Sequence, residues 1–200
     1  MLPILAFDLS WSGPTGWVLY DDDALPVHRP LVKYGEFEPG RTNTDIVLFE
    51  CILDAINECV LPGKSVIAVA EITDWHRNLK GLKGKQFDIQ YKIERQAQFT
   101  LGSAKASFNL ACNISPVVVR AVLIGANEAK REFGAMRKDA CASLLVEEYP
   151  GRFERHDKKN SFLYDKLFKC DISDHISDAM VIASVVAKRE HQASLIKAQS

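Results

Sequence analysis

Residues 2–9 (LPILAFDL) form an apolar run broken only by Pro3 and Asp8, the pattern of a strand. Residues 10–16 (SWSGPTG) hold two glycines, a proline and three hydroxyl residues, which is turn chemistry. Residues 17–20 (WVLY) restart a strand that three aspartates, 21–23, close. Residues 31–37 supply a third strand and complete an antiparallel meander. From Thr42 the period changes. Ile46, Phe49, Leu53, Ile56 and Val60 recur at helical spacing, with Asn43 or Thr44 as cap and Pro62-Gly63 as stop.

Residues 65–72 (SVIAVAEI) are nearly all apolar, as in a central strand buried on both faces. Residues 73–88 read as a basic, glycine-containing loop. Residues 89–113 predict a long helix with Ile93, Ala97, Leu101, Ala104, Phe108 and Ala111 on one face. A short strand at 114–119, a helical turn at 120–125 and a helix at 136–149 follow. Residues 151–171 look polar, basic and irregular. Residues 173–191 form the last helix, burying Ile176, Met180, Ala183 and Val186 or Ala187. A meander followed by βαβα units predicts a mixed five-stranded sheet flanked by helices.

At 200 residues with no repeats, one domain spanning 1–200 is the simplest organisation. The apolar fraction of 47% supports a core without metal or disulfide staples. The five cysteines, at 51, 59, 112, 141 and 170, form no CxxC pair and match no zinc spacing. Their odd number and the start of the chain predict a cytoplasmic setting, or a host cytoplasm for a phage-encoded chain. No apolar run approaches a membrane span. A net charge of −1 gives no global signature of nucleic-acid binding, so any such function rests on local clusters.

The informative residues are acids in apolar surroundings. A carboxylate near the end of a buried strand needs a partner or a metal, and this chain has two, Asp8 and Glu71. A third acidic group opens the last helix: Asp171, Asp174 and Asp178, with His175 between them. Asp174 and Asp178 share a helix face, as do His175 and Asp178. Asp8 also fits a turn cap, and Asp171 or Asp174 a helix cap. Glu71 is a poor turn residue and is rarely buried unpaired. Together they form a hard-oxygen ligand set suited to Mg²⁺, with Mn²⁺ as a substitute. Two such ions about 3.5–4 Å apart activate a water and stabilise the leaving oxygen of a phosphodiester.

Three segments carry a family resemblance. ILAFDLSWSGPTGWVLYD resembles the opening hairpin of RuvC-type Holliday junction resolvases, in the ribonuclease H-like superfamily. There an Asp on the first strand precedes a TGW-containing turn. VIAVAEI resembles their fourth strand with its catalytic Glu. DHISDAMVIASVVA resembles their final helix, where an acid or His precedes Asp-Ala by three positions. The resemblance implies Asp8, Glu71, His175 and Asp178 as catalytic metal ligands, with Asp174 as a substitute for His175. It also makes Arg120 and Lys138 counterparts of basic, DNA-contacting family residues, with Arg137 beside Lys138. Leu9-Ser10 stands where the family usually has Pro-Gly. The expected activity is Mg²⁺-dependent cleavage of branched DNA, the four-way junction above all, by a homodimer whose two-fold matches two cuts.

Trp75, Arg77, Lys80, Lys83 and Lys85 follow Glu71 directly. That position makes them candidates for phosphate contact and base stacking; a solvated loop is the plainer reading. Other branched DNA or RNA–DNA hybrids are alternative substrates, and a catalytically silent binding protein of the same fold is an alternative class. The chain is too short for the paired domains of a sugar kinase.

Overall fold

The computed structural model describes residues 2–10, 13–20, 31–38, 44–59, 64–72, 83–158 and 161–199. The meander appears as β1 (Ile4–Asp8), β2 (Thr15–Tyr20) and β3 (Leu31–Phe37), followed by α1 (Thr44–Cys59), β4 (Val66–Ile72) and α2 (Gly84–Ile114). Then come β5 (Val118–Gly125), α3 (Ala126–Phe133) and α4 (Lys138–Glu148). The last elements are β6 (Phe153–Lys158), β7 (Ser161–Asp165), β8 (Cys170–Ile172) and α5 (Asp174–Gln199).

The main sheet has the order β3-β2-β1-β4-β5. β1 pairs antiparallel with β2 and β2 with β3, whereas β4 runs parallel to both β1 and β5. This is the expected mixed five-stranded sheet. Because side chains alternate across a strand, its apolar residues divide into two cores. Ile4, Ala6, Val18, Tyr20, Ile67 and Val69 pack with Met180, Val181 and other residues of α5, together with residues of α3 and α4. Leu5, Phe7, Trp17, Leu19, Ala68 and Ala70 pack against α1 and the second half of α2. Asp8 and Glu71 continue the first series, so the same alternation aims both carboxylates at the α5 face.

Three expectations need correction. The strand after α2 lies at Val118–Gly125, not 114–119, and 120–125 is its body rather than a helical turn. Ile114 still belongs to the helix; parallel pairing of Ala121, Val122, Leu123 and Ile124 with β4 draws the later residues into the sheet. The unexpected α3 follows, ended by Gly134 in the left-handed region at φ 96, a conformation that suits glycine.

The segment 151–171 is not irregular: β6, β7 and β8 form a three-stranded antiparallel sheet. Its inward positions include polar residues, so no hydrophobic alternation marked it. Asp165, fully buried, accepts hydrogen bonds from Tyr34 Oη at 3.0 Å, Arg152 Nε and Nη2 at 3.2 Å, and the Leu167 and Phe168 N–H groups at 2.7 and 3.2 Å. This knot ties the small sheet to β3.

On the predicted apolar face of α2, Ala104, Phe108 and Ala111 are buried and Ile93 is exposed, as are Ile89, Tyr91 and Phe99 nearby. No described helix is long and apolar enough to cross a membrane, and all five cysteines are free thiols.

Candidate functional site

Asp8 ends β1, and Glu71 stands one residue before the end of β4. Phe7 is level with Ala70 in the parallel pairing, so the next residues, Asp8 and Glu71, lie side by side at one end of the sheet. Across β1, Asp8 is opposite Gly16 of β2. A Cβ on Gly16 would stand 2.3 Å from the carbonyl carbon of His175 and 2.4 Å from its oxygen and from Ile176 N. The glycine therefore lets the first turn of α5 settle directly on the sheet beside Asp8. The turn before it is held by Thr15, whose Oγ1 accepts from Ser10 N–H at 3.0 Å and donates to Ser10 O at 3.4 Å.

α5 then presents its side chains to the strand ends. His175 Nδ1 is 2.9 Å from Asp8 Oδ2. Asp178, one turn later, keeps only 8% of its side chain exposed and accepts from Lys130 Nζ at 3.1 Å, with Lys138 Nζ at 3.6 Å. Lys138 also reaches Asp174 at 3.3 Å. Ser173, just before the helix, donates its hydroxyl to the Glu36 carboxylate of β3.

The electrostatics are those of crowded carboxylates. Burial, then the neighbouring Asp8 charge, pushes Glu71 up to about 8. Burial and Asp8 likewise raise Asp178, opposed by Lys130 and Lys138. The hydrogen bond to Asp8 raises His175. Burial alone would lower Lys130, but the carboxylates of Asp178, Glu71 and Asp8 together hold the ammonium above its ordinary range. Buried acids held above their ordinary range mark this as a candidate site for a cation.

The donor chemistry suits a hard divalent ion, since carboxylate oxygens dominate it. As they stand, no three His, Cys, Asp or Glu side chains among the described residues form a ready cage. Asp8 is turned to His175, and Asp178 to Lys130.

The structure thus gathers Asp8, Glu71, His175 and Asp178, with Asp174 and Lys138 at the edge. Arg137 is exposed and forms a two-point contact with Asp139 at 3.0 and 2.9 Å. Arg120 is not in the group. It pairs with Ile67 in the sheet, four residues before the Ile124 that is level with Glu71. That is about 13 Å along a strand, and its guanidinium binds Glu190 at 2.5 Å. Lys83 and Lys85 are exposed at the start of α2. Trp75, Arg77 and Lys80 lie outside the described residues.

Lys130 was missed, because α3 itself was not foreseen. In hindsight ANEAKREF, between a strand end and Gly134, is a one-sided helix. Lys130 adjoins the buried Ala129 and sits three before the buried Phe133, so it belongs to the inward face.

No protein-family model matches the chain, and no curated protein sequence matches it. Among solved structures it is similar to Thermus thermophilus RuvC. The complex of that protein with a Holliday junction substrate superposes with a TM-score of 0.62 at 11% identity, covering 96% of this chain and 97% of that one. A second Thermus thermophilus RuvC structure gives 0.61 at 12% identity, with the same two coverages. Nearly end to end, the chain has the fold of RuvC, the ribonuclease H-like fold.

Proposed function

We propose that this chain is a divalent-metal-dependent endonuclease of branched DNA, acting as one nuclease domain, with the four-way junction as its main substrate. One observation carries the reading. In a fold shared with a protein solved on a Holliday junction, two strand-end carboxylates and the first turns of the last helix meet at one pole of the sheet. Asp8, Glu71 and Asp178 would hold Mg²⁺ or Mn²⁺, with His175 as a fourth ligand and Asp174 its substitute. Bound ions of this kind generate a nucleophilic hydroxide and stabilise the leaving oxygen of a phosphodiester.

The chain's own residues set the conditions for that chemistry. Asp8 fixes the imidazole of His175 through Nδ1, which leaves Nε2 for ligation or for carrying a proton. Lys130 and Lys138 keep positive charge beside the carboxylates, so a phosphodiester can approach an otherwise acidic pocket. The exposed Lys83, Lys85 and Arg137, with Trp75, Arg77 and Lys80, are the proposed contacts to the DNA arms.

A homodimer fits the same reading. Ile89, Tyr91, Ile93 and Phe99 put exposed apolar side chains on the first half of α2, which a second copy could cover.

The test is incubation with synthetic four-way junctions and matched duplexes, in Mg²⁺ and in EDTA. The wild-type chain is expected to nick junctions in Mg²⁺ alone. Asp8→Asn and Glu71→Gln are expected to bind junctions without cutting them. Wild-type binding without metal-dependent cleavage would replace the enzyme by a silent junction-binding protein.

A further inference from the structure

Lys130 is the residue at this site that neither the acid pattern nor the resemblance accounts for. It sits on α3, which starts where β5 ends beside Glu71. The helix is clamped in place. Arg189 of α5 binds Glu128 at 2.6 Å and, through Nε, Glu132 at 3.0 Å, while Lys188 Nζ lies 5.1 Å from the centre of the Phe133 ring. The base of the Lys130 side chain is therefore fixed, and its four-carbon stem carries the ammonium to the acids. Only 15% of the side chain is exposed, and Nζ is 3.1 Å from Asp178 Oδ2. Its charge is felt by Glu71 and Asp8 as well.

A buried ammonium is tolerated only where anions compensate it, and buried anions need a cation in turn. The contact is thus mutual. It also engages Oδ2, one of the two Asp178 oxygens open to a metal. A magnesium ion binds carboxylate oxygen at about 2.0–2.1 Å, so an ammonium 3.1 Å from the same carboxylate repels it and competes for that charge.

We infer that Lys130 is a tethered internal counter-ion of the acidic site, which holds Asp178 until a divalent ion displaces it and so sets the metal concentration at which the site loads. This rests on the metal-dependent reading above. Lys130 acts here as a positioning residue, through Asp178. Lys138 serves the same end more weakly, being 3.6 Å from Asp178 and 42% exposed.

The test is calorimetric titration of the full chain with Mn²⁺, without DNA, alongside thermal unfolding in EDTA and in Mn²⁺. Lys130→Gln is expected to bind Mn²⁺ on the order of tenfold more tightly, as removal of a unit charge a few ångströms from the ion implies. It should melt below wild type in EDTA and regain the difference in saturating Mn²⁺. Lys130→Arg, which keeps the charge, should bind close to wild type, and Lys138→Gln should shift less than Lys130→Gln. A merely structural lysine would have the opposite sign, since its loss would loosen the site and weaken binding.

Unchanged or weaker Mn²⁺ binding by Lys130→Gln, with wild type still binding, overturns the counter-ion role alone. Absence of binding by both proteins removes the metal site and the inference with it. Should Lys130→Gln be unfolded in EDTA, Mn²⁺ at millimolar concentration is expected to refold it, and failure to do so refutes the proposal.

Discussion

Replacing Gly16 by alanine tests the geometry of the site without touching a charged group. The new methyl group would stand 2.3 Å from a backbone carbon of His175 and 2.4 Å from two further backbone atoms of α5. These are main-chain atoms, so no side-chain rotation relieves the overlap. An ordinary contact begins near 3.4 Å; the first turn of α5 must retreat by about 1 Å, or β2 must. Overpacking of this kind costs about 1–3 kcal/mol, which for a chain of this size lowers Tm by roughly 2–12 °C. The retreat also moves His175 and Asp178 away from Asp8 and Glu71. A displacement of about 1 Å in a catalytic constellation can cost on the order of a hundredfold in rate. Differential scanning calorimetry and junction-cleavage rates measure the two effects. Gly102→Ala is the control: its Cβ would meet nothing within 4 Å, and on a helix it should stabilise by about 0.5–1 kcal/mol. If Gly16→Ala melts within about 1 °C of wild type and cuts at the wild-type rate, the close approach of α5 to β2 is not what positions the site.

Two further predictions follow from groups already described. Glu71, raised by burial and Asp8 to about 8 from an ordinary 4.5, contributes stability below pH 4.5 that is lost as pH rises toward 8. Asp178 and His175, also raised, act in the same direction, His175 from about pH 6.5 upward. In EDTA the Tm of wild type relative to Glu71→Gln should therefore fall between about pH 5 and 8. Saturating Mn²⁺ should flatten that fall, and a difference that grows with pH would contradict the assignment. Asp165→Ala should cost about 3–5 kcal/mol in chemical denaturation, because it removes the carboxylate that pairs with the mostly buried Arg152. A loss below about 1 kcal/mol would show that the Asp165 knot does not hold the second sheet.

What could be read from the chain, and what could not, divides along physical lines. β1, β2 and β4 were legible because strands buried on both faces are largely apolar, and Asp8 and Glu71 stood out against that background. The register that brings Asp8 level with Glu71 was not legible, since it depends on parallel pairing of residues more than sixty apart. α3 and β5 were misplaced because Val118–Gly125 reads equally as a strand or a buried helical turn until β4 is set beside it. The β6–β8 sheet was hidden by polar inward residues: Ser161 and Asp165 are buried and satisfied by hydrogen bonds rather than by packing. Lys130 went unseen for a related reason, that a buried lysine looks like a surface one until its anion is located. The weight placed on Arg120 reflected its resemblance to a family position, whereas here it faces Glu190.

The wide spacing of the acidic residues along the chain bears on when the candidate site can assemble. The bond between Asp8 and His175 closes a gap of 167 residues. At a synthesis rate of about 5–20 residues per second, roughly ten to thirty seconds separate the emergence of the first acid from that of the last helix. During that time β1 and β4 carry Asp8 and Glu71 without α5, so the group they form with His175 and Asp178 does not yet exist. If the proposed nuclease reading holds, a nascent or truncated chain that lacks α5 cannot cut DNA, and that competence appears only as the final helix docks.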